Sequence, residues 1–177
     1  MLFERQFYIY IMKIGLLSDT HSFLDSKVFE YFSACDEIWH AGDVGYRVID
    51  KLEEFKPVRV VFGNIDDLSF QRKYPENLWF QCEQLKVFIT HIGGAPPNYN
   101  PRVKKMLKEK TPDIFICGHS HILGVKKDPQ LNNLLYINPG AAGNHGLHQM
   151  KTIVRFEITG KEIKNMEVIE LGKRGAL

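Results

Sequence analysis

The sequence reads as an α/β protein, a pair of mixed β-sheets with helices packed outside. Three observations carry that reading. Short apolar runs such as Ile14-Gly15-Leu16-Leu17 and Ile114-Phe115-Ile116-Cys117 lack polar alternation, as strands covered on both faces do. Segments with helical apolar spacing lie between the first of these runs, so residues 1–62 spell β-α-β-α-β, the pattern of parallel strands joined by crossover helices. The second half changes character, with a hairpin signal and two late strands.

The elements follow in order. Met12-Lys13-Ile14-Gly15 opens the first strand. Asp25 or Ser26 caps a helix carrying Val28, Phe29 and Phe32. Ile38-Trp39-His40 is the second strand. Val44, Val48, Ile49, Leu52 and Phe55 recur at helical spacing until Pro57 stops them. Val58-Arg59-Val60-Val61-Phe62 is the third strand. Leu78–Cys82 and Leu85–Ile89 flank Glu83-Gln84 as a hairpin. Asn100-Pro101 opens a helix with Val103, Met106 and Leu107 on one side, which Thr111-Pro112 ends. Strands at 114–117, 134–137 and 153–158 follow, and Thr159-Gly160-Lys161 turns into a last segment from Ile163 to Leu171.

A length of 177 residues suits one domain with a real core and is short for two. We expect that domain over residues 12–171, with an N-terminal extension at 1–11 and a frayed tail at 172–177. The extension lacks the small-residue cleavage site of a signal peptide, and no run approaches the ~18 apolar residues of a membrane span. Phe7-Tyr8-Ile9-Tyr10-Ile11 is apolar enough to extend a strand or pack on a neighbour, which leaves a homodimer open. The net charge of +2 and the lack of an aromatic-basic groove argue against a polynucleotide partner. Three cysteines, with no C-x-x-C, read as a reduced, cytoplasmic protein rather than a disulfide scaffold.

Five short clusters carry the chemistry: Asp19-x-His21, Gly42-Asp43, Gly63-Asn64, Thr90-His91 and Gly118-His119-x-His121. Each follows a strand, and ligands of open α/β sheets collect outside the carboxyl ends of strands. Carboxylate, imidazole and a neutral amide oxygen together suit Mn, Fe, Co, Ni or Zn, with no thiolate involved. There are enough such ligands for two ions, and a two-metal site holds its ions ~3.5–4 Å apart around a phosphoryl group. Glycine before Asp43, Asn64 and His119 lets the chain turn sharply beside the metals. His40 is expected to pack or hydrogen-bond behind Asp43. His145 and His148 read as solvated loop residues, and one of them could instead contact a phosphate.

This series of residues resembles the calcineurin-like metallophosphoesterase superfamily. The compact length and the Asn138-Pro139-Gly140 loop resemble its small YfcE-type phosphodiesterases, a fold that also includes the retromer subunit Vps29. The resemblance runs from about Met12 to the final strand. It implies a four-layer αββα sandwich of two mixed sheets, metallophosphatase-like, with two divalent transition-metal ions at its edge. Manganese heads the candidates, ahead of Fe, Ni, Co and Zn. Asp19, His21, Asp43 and His121 would hold the first ion. Asn64, His91 and His119 would complete the second, with Asp43 shared between them. Asp43, Asn64 and His91 would act in catalysis. The implied reaction is in-line attack of a metal-bound hydroxide on a small phosphodiester. The rival reading is a protein-interaction scaffold of the Vps29 type that holds metal with little or no catalysis.

Three positions depart from the family pattern. Ile65 stands where larger members carry a histidine, so no general acid for the leaving group is assigned. His91-Ile92-Gly93-Gly94 replaces the His-Gly-His of many small members. Ala141 replaces a serine after Asn138-Pro139-Gly140, so any phosphate contact there would come from backbone N–H groups.

Overall fold

A computed structural model describes residues 10–175. Residues 1–9 of the expected extension lie outside the described residues. The order is β1 (Met12–Leu17), α1 (Lys27–Tyr31), β2 (Glu37–His40), α2 (Val48–Glu53), β3 (Val58–Val60), α3 (Leu68–Lys73), β4 (Asn77–Cys82), β5 (Leu85–Thr90), β6 (Gly94–Ala95), β7 (Asn98–Tyr99), α4 (Pro101–Glu109), β8 (Ile114–Ile116), β9 (Gly124–Asp128), β10 (Leu134–Asn138), β11 (Met150–Thr159) and β12 (Glu162–Lys173).

Two five-stranded mixed sheets result. The first runs β12-β11-β1-β2-β3, and the second β4-β5-β8-β10-β9. Each has three adjacent parallel strands, β1 beside β2 beside β3 and β5 beside β8 beside β10; antiparallel β11 and β12 extend the first on the β1 side, and antiparallel β4 and β9 flank the second. The expected hairpin closes with Cys82 opposite Leu85, and Glu83 takes the left-handed conformation that the tight turn needs.

The apolar runs lack alternation because both faces of each strand are covered. Ile14, Leu16, Trp39 and Val61 point from the first sheet into a core shared with Val87, Ile89, Ile114 and Ile116 of the second. Leu17, Ile38 and Val60 point the other way, onto Val28 and Phe32 near α1 and Val48, Ile49 and Leu52 of α2. On the far side, Phe88, Phe115 and Tyr136 pack on Val103 and Leu107 of α4. The layers are therefore helix, sheet, sheet, helix, the four-layer αββα sandwich. Gly15 is required at this packing, since a Cβ there would lie 2.6 Å from the Phe32 ring.

Local differences from the sequence reading have physical causes. Val44 is buried but precedes α2 rather than belonging to it. Asp43, Gly45 and Arg47 all have positive φ, and Asp66 takes the N–H groups of Val44 and Gly45, so the helix cannot start before Val48. α3 is unforeseen because none of its residues is buried, although Asp67 caps it by accepting from the Phe70 N–H. β9 is also unforeseen, an edge strand bearing Lys126 and Lys127 in place of an apolar run. β12 runs to Lys173, past the boundary expected at 171.

The two sets of parallel strands end at the same border of the sandwich. That border is where residues 19–21, 41–43, 63–64, 91 and 118–121 meet.

Candidate metal centre

At that border the structure brings six of the seven expected ligands into two groups. Asp19, His21 and His121 form one, and Asp43, His91 and His119 the other, with the ligand atoms of each group within 4.8 Å of one another. His121 Nε2 lies 3.2 Å from Asp19 Oδ1. Asp43 faces both groups: Oδ2 is 3.5 Å from His21 Nε2, and Oδ1 is 3.1 Å from His91 Nε2. Asn64, the seventh, is exposed and shares a cavity wall with His91.

The carboxylates are buried with fixed orientations. Asp19 accepts from the His119 N–H with both oxygens at 3.2 Å, across a hundred residues of sequence. Asp43 Oδ1 accepts from the Ile65 N–H at 3.1 Å. Burial would raise the Asp43 carboxyl, but His91, the Ile65 N–H and His21 hold it below its ordinary value. Burial would likewise lower the His91 imidazole, and the carboxylates of Asp43 and Asp19 raise it instead.

Two buried nitrogens aim at this space without a hydrogen-bond partner, His21 Nε2 and His91 Nε2. The short approach of His91 Nε2 to Asp43 is off the line of a hydrogen bond. His91 Nδ1–H donates to the Ala41 carbonyl at 2.8 Å, which leaves the Nε2 lone pair facing inward. Buried imidazole lone pairs beside ionised carboxylates are costly unless a cation joins them. This donor set therefore fits divalent metal, and Asp19, His21, His121, Asp43, His91 and His119 are the residues that could hold it.

The glycines act through space as much as through turning. A Cβ on Gly63 would collide with the Asp43 carboxylate, and one on Gly118 would sit 2.7 Å from Asp19 Oδ2. Only Gly42 among the three has positive φ. The strained positions are the ligands themselves: Asp19, His21, Asp43, His119 and His121 all have φ between 46° and 69°. Backbone bonds from Asp19 N to Gly42 O and from His21 N to Asp43 O hold these loops together.

His40 lies behind the centre, fully buried. Its Nδ1 accepts from the Gly42 N–H, so the proton sits on Nε2 and donates to Thr20 Oγ1, which in turn donates to the Val44 carbonyl. Burial, opposed by Asp19, pushes its pKa down to about 3. Asn138 Nδ2 donates to the Gly118 carbonyl at 2.9 Å and to Ser120 Oγ, steadying the His119–His121 loop. The N–H groups of Gly140, Ala142 and Gly143 are committed to Asn138 Oδ1, Ser18 O and Asp19 O, so those three do not face a phosphate. His145 is exposed with its ring 4.7 Å from that of His21, and His148 lies 5.2 Å from His121, closer to the centre than solvated loop residues would be.

From sequence alone, Asp66 reads as a turn residue that could orient a ligand. Its carboxylate accepts from the N–H groups of Val44, Gly45 and Gly63, tying the loop after β2 to the turn after β3. Its signal in the sequence is an Asp three residues after Gly63, placed to reach back to that residue's N–H.

A sandwich of this layering carries two Asp/His groups at the ends of its parallel strands, the arrangement expected of a metallophosphoesterase. The model of the calcineurin-like phosphoesterase superfamily domain matches residues 12–161, and the chain belongs to that superfamily. It is 28% identical over 167 residues to a probable metallophosphoesterase of Methanothermobacter thermautotrophicus, covering 91% of this chain and 94% of the relative. Among solved structures, a novel archaeal phosphodiesterase is 26% identical with a TM-score of 0.71, covering 89% of this chain and all of that one. Vps29 of Entamoeba histolytica, solved in complex with zinc, shares the fold at 19% identity and a TM-score of 0.65, covering 90% of this chain and 99% of that one.

Proposed function

We propose that this chain is a dinuclear metal-dependent phosphodiesterase, acting as one domain over residues 12–171. The observation that carries the reading is the Asp43 carboxylate, which turns one oxygen to each Asp/His group while two buried imidazole nitrogens beside it lack partners. The kinship with a phosphodiesterase of known structure points the same way.

Asp19, His21, Asp43 and His121 would hold one ion, and Asp43, Asn64, His91 and His119 the other, manganese being the first choice. Divalent metal held by these residues would supply positive charge for the phosphate oxygens and acidify a water for attack on phosphorus. The protein's part is to fix the ligands. Asp43 keeps its orientation through the Ile65 N–H, which donates to Oδ1. His91 keeps its tautomer through Ala41. Ile65 offers no proton to the leaving group, so diesters with acidic leaving groups should react faster than alkyl esters. A flat ratio between aryl and alkyl leaving groups would contradict that assignment. The free cysteines are all buried and fit a reducing, cytoplasmic setting, and no helix among the described residues is long and apolar enough to cross a membrane.

The likeness to zinc-bound Vps29 favours a second reading, a metal-holding interaction scaffold. Hydrolysis of bis(p-nitrophenyl) phosphate by chelator-stripped protein, before and after adding Mn²⁺, separates the two. Turnover only with metal supports the enzyme. Bound metal without turnover supports the scaffold.

A further inference from the structure

Beside Asp43 the surface opens into a cavity of about 450 Å³ between α2 and α3. That is the size of a small-molecule site. Its inner end is formed by Gly45, two residues past Asp43, and by Ile65, whose N–H bonds the Asp43 carboxylate. Tyr46, Arg47, Phe70 and Tyr74 are among the other lining residues. Tyr46 is 79% exposed and Ile65 44% exposed, so an aromatic ring and an aliphatic side chain face solvent beside the metal ligands.

The wall's polar groups are unequally free. Asp66 is occupied by three backbone N–H groups, and Asp67 by the cap of α3 and Ser69. Lys73 reaches Glu53 at 3.9 Å. Arg47 is exposed and makes no salt bridge among the described residues. Asp50 offers a carboxylate on the α2 side. The cavity therefore presents an open aromatic face, an aliphatic wall and an available guanidinium, which together suit a flat π-system. A small alkyl group would leave Tyr46 and Ile65 wet.

We propose that this cavity receives an ester arm of the substrate, and that the substrate class is a phosphodiester with at least one planar aromatic substituent. Tyr46 is the specificity-determining residue, the substrate ring resting on the Tyr46 ring with the Arg47 guanidinium over its other face. This rests on the phosphoesterase reading for where the phosphoryl group sits.

The test is calorimetric binding of phenylphosphonate and methylphosphonate to the full Mn²⁺-loaded chain, to Tyr46→Ala and to Tyr46→Phe. The wild type should bind the phenyl compound about tenfold more tightly, the scale of one stacked ring. Tyr46→Ala should bring that ratio near one while methylphosphonate binding stays within roughly twofold. Tyr46→Phe should keep the ratio. Equal binding of both phosphonates by the wild type, no binding of either, or a ratio untouched by Tyr46→Ala overturns the inference. Metal-dependent hydrolysis of bis(p-nitrophenyl) phosphate without phosphonate preference sinks this inference and leaves the enzyme reading standing. Preference without hydrolysis supports the cavity and sinks the catalytic reading.

Discussion

His91 holds its Nε2 3.1 Å from Asp43 Oδ1 yet off the line of a hydrogen bond, while the other oxygen of that carboxylate faces His21. A carboxylate placed between two imidazoles in this way gives each group one of its oxygens, at closer range than the 3.9 Å from Asp19 to His91. Asp43→Asn keeps the shape and removes that charge. We expect weakened binding of both ions and a loss of turnover of roughly a hundredfold or more. Metal analysis alongside kinetics checks it, and normal turnover with two ions retained would end the shared-ligand assignment.

Gly118 gives a steric test of the same centre. Its α-hydrogen sits where a Cβ would crowd Asp19 Oδ2 and collide with Ser18 Oγ. Gly118→Ala must move Asp19, at a cost of about 1–3 kcal/mol for overpacking, and should lower affinity for the ion near Asp19, His21 and His121. Thermal unfolding and metal titration read the two effects separately. A variant unchanged in both would show that the carboxylate position is not sterically set.

Asp66 should matter for stability although it is not an expected ligand. Asp66→Ala strands the N–H groups of Val44, Gly45 and Gly63. At ~1–3 kcal/mol for each buried donor left unsatisfied, we expect a loss of roughly 3 kcal/mol or more in urea unfolding. Asp66→Asn, which keeps an acceptor oxygen, should lose less. Equal losses for the two variants would mean that volume rather than hydrogen bonding is at stake.

His40 predicts a pH dependence. Its folded pKa is about 3, against the ordinary value of 6.5 for an imidazole exposed to water. Between those values the unfolded chain binds a proton that the folded chain refuses. This contribution is complete above pH 6.5 and is lost as pH falls, at about 1.4 kcal/mol per unit within the window. Urea midpoints of metal-free protein at pH 7.5 and 5.0 should show a shallower loss in His40→Gln than in wild type. Parallel slopes would place the proton uptake elsewhere.

Much of this was legible in the sequence because burial on both faces leaves an unmistakable apolar run. Ile114-Phe115-Ile116 sends Phe115 to α4 and its two neighbours to the inter-sheet core, and the run had to be apolar throughout. The ligands were legible because each terminates such a run. What no local pattern shows is the long-range pairing: that Asp19 and His21 meet His121 is set by the meeting of the two sheets, and only the family resemblance implied it. α3 and β9 were hidden because they bury almost nothing, and Val44 misled because it is buried by a loop held open by Asp66.

The two groups of side chains ride on strand ends from both sheets, β1 and β2 on one side and β5 and β8 on the other. An ion seated there would stitch the halves of the sandwich across their seam, much as a rivet does. Its binding energy would then be folding energy for the whole molecule, worth about 2.7 kcal/mol when free metal stands a hundredfold above its dissociation constant. Chelation would therefore soften the fold as well as silence the site, and metal supply in the cell would set how long the chain survives.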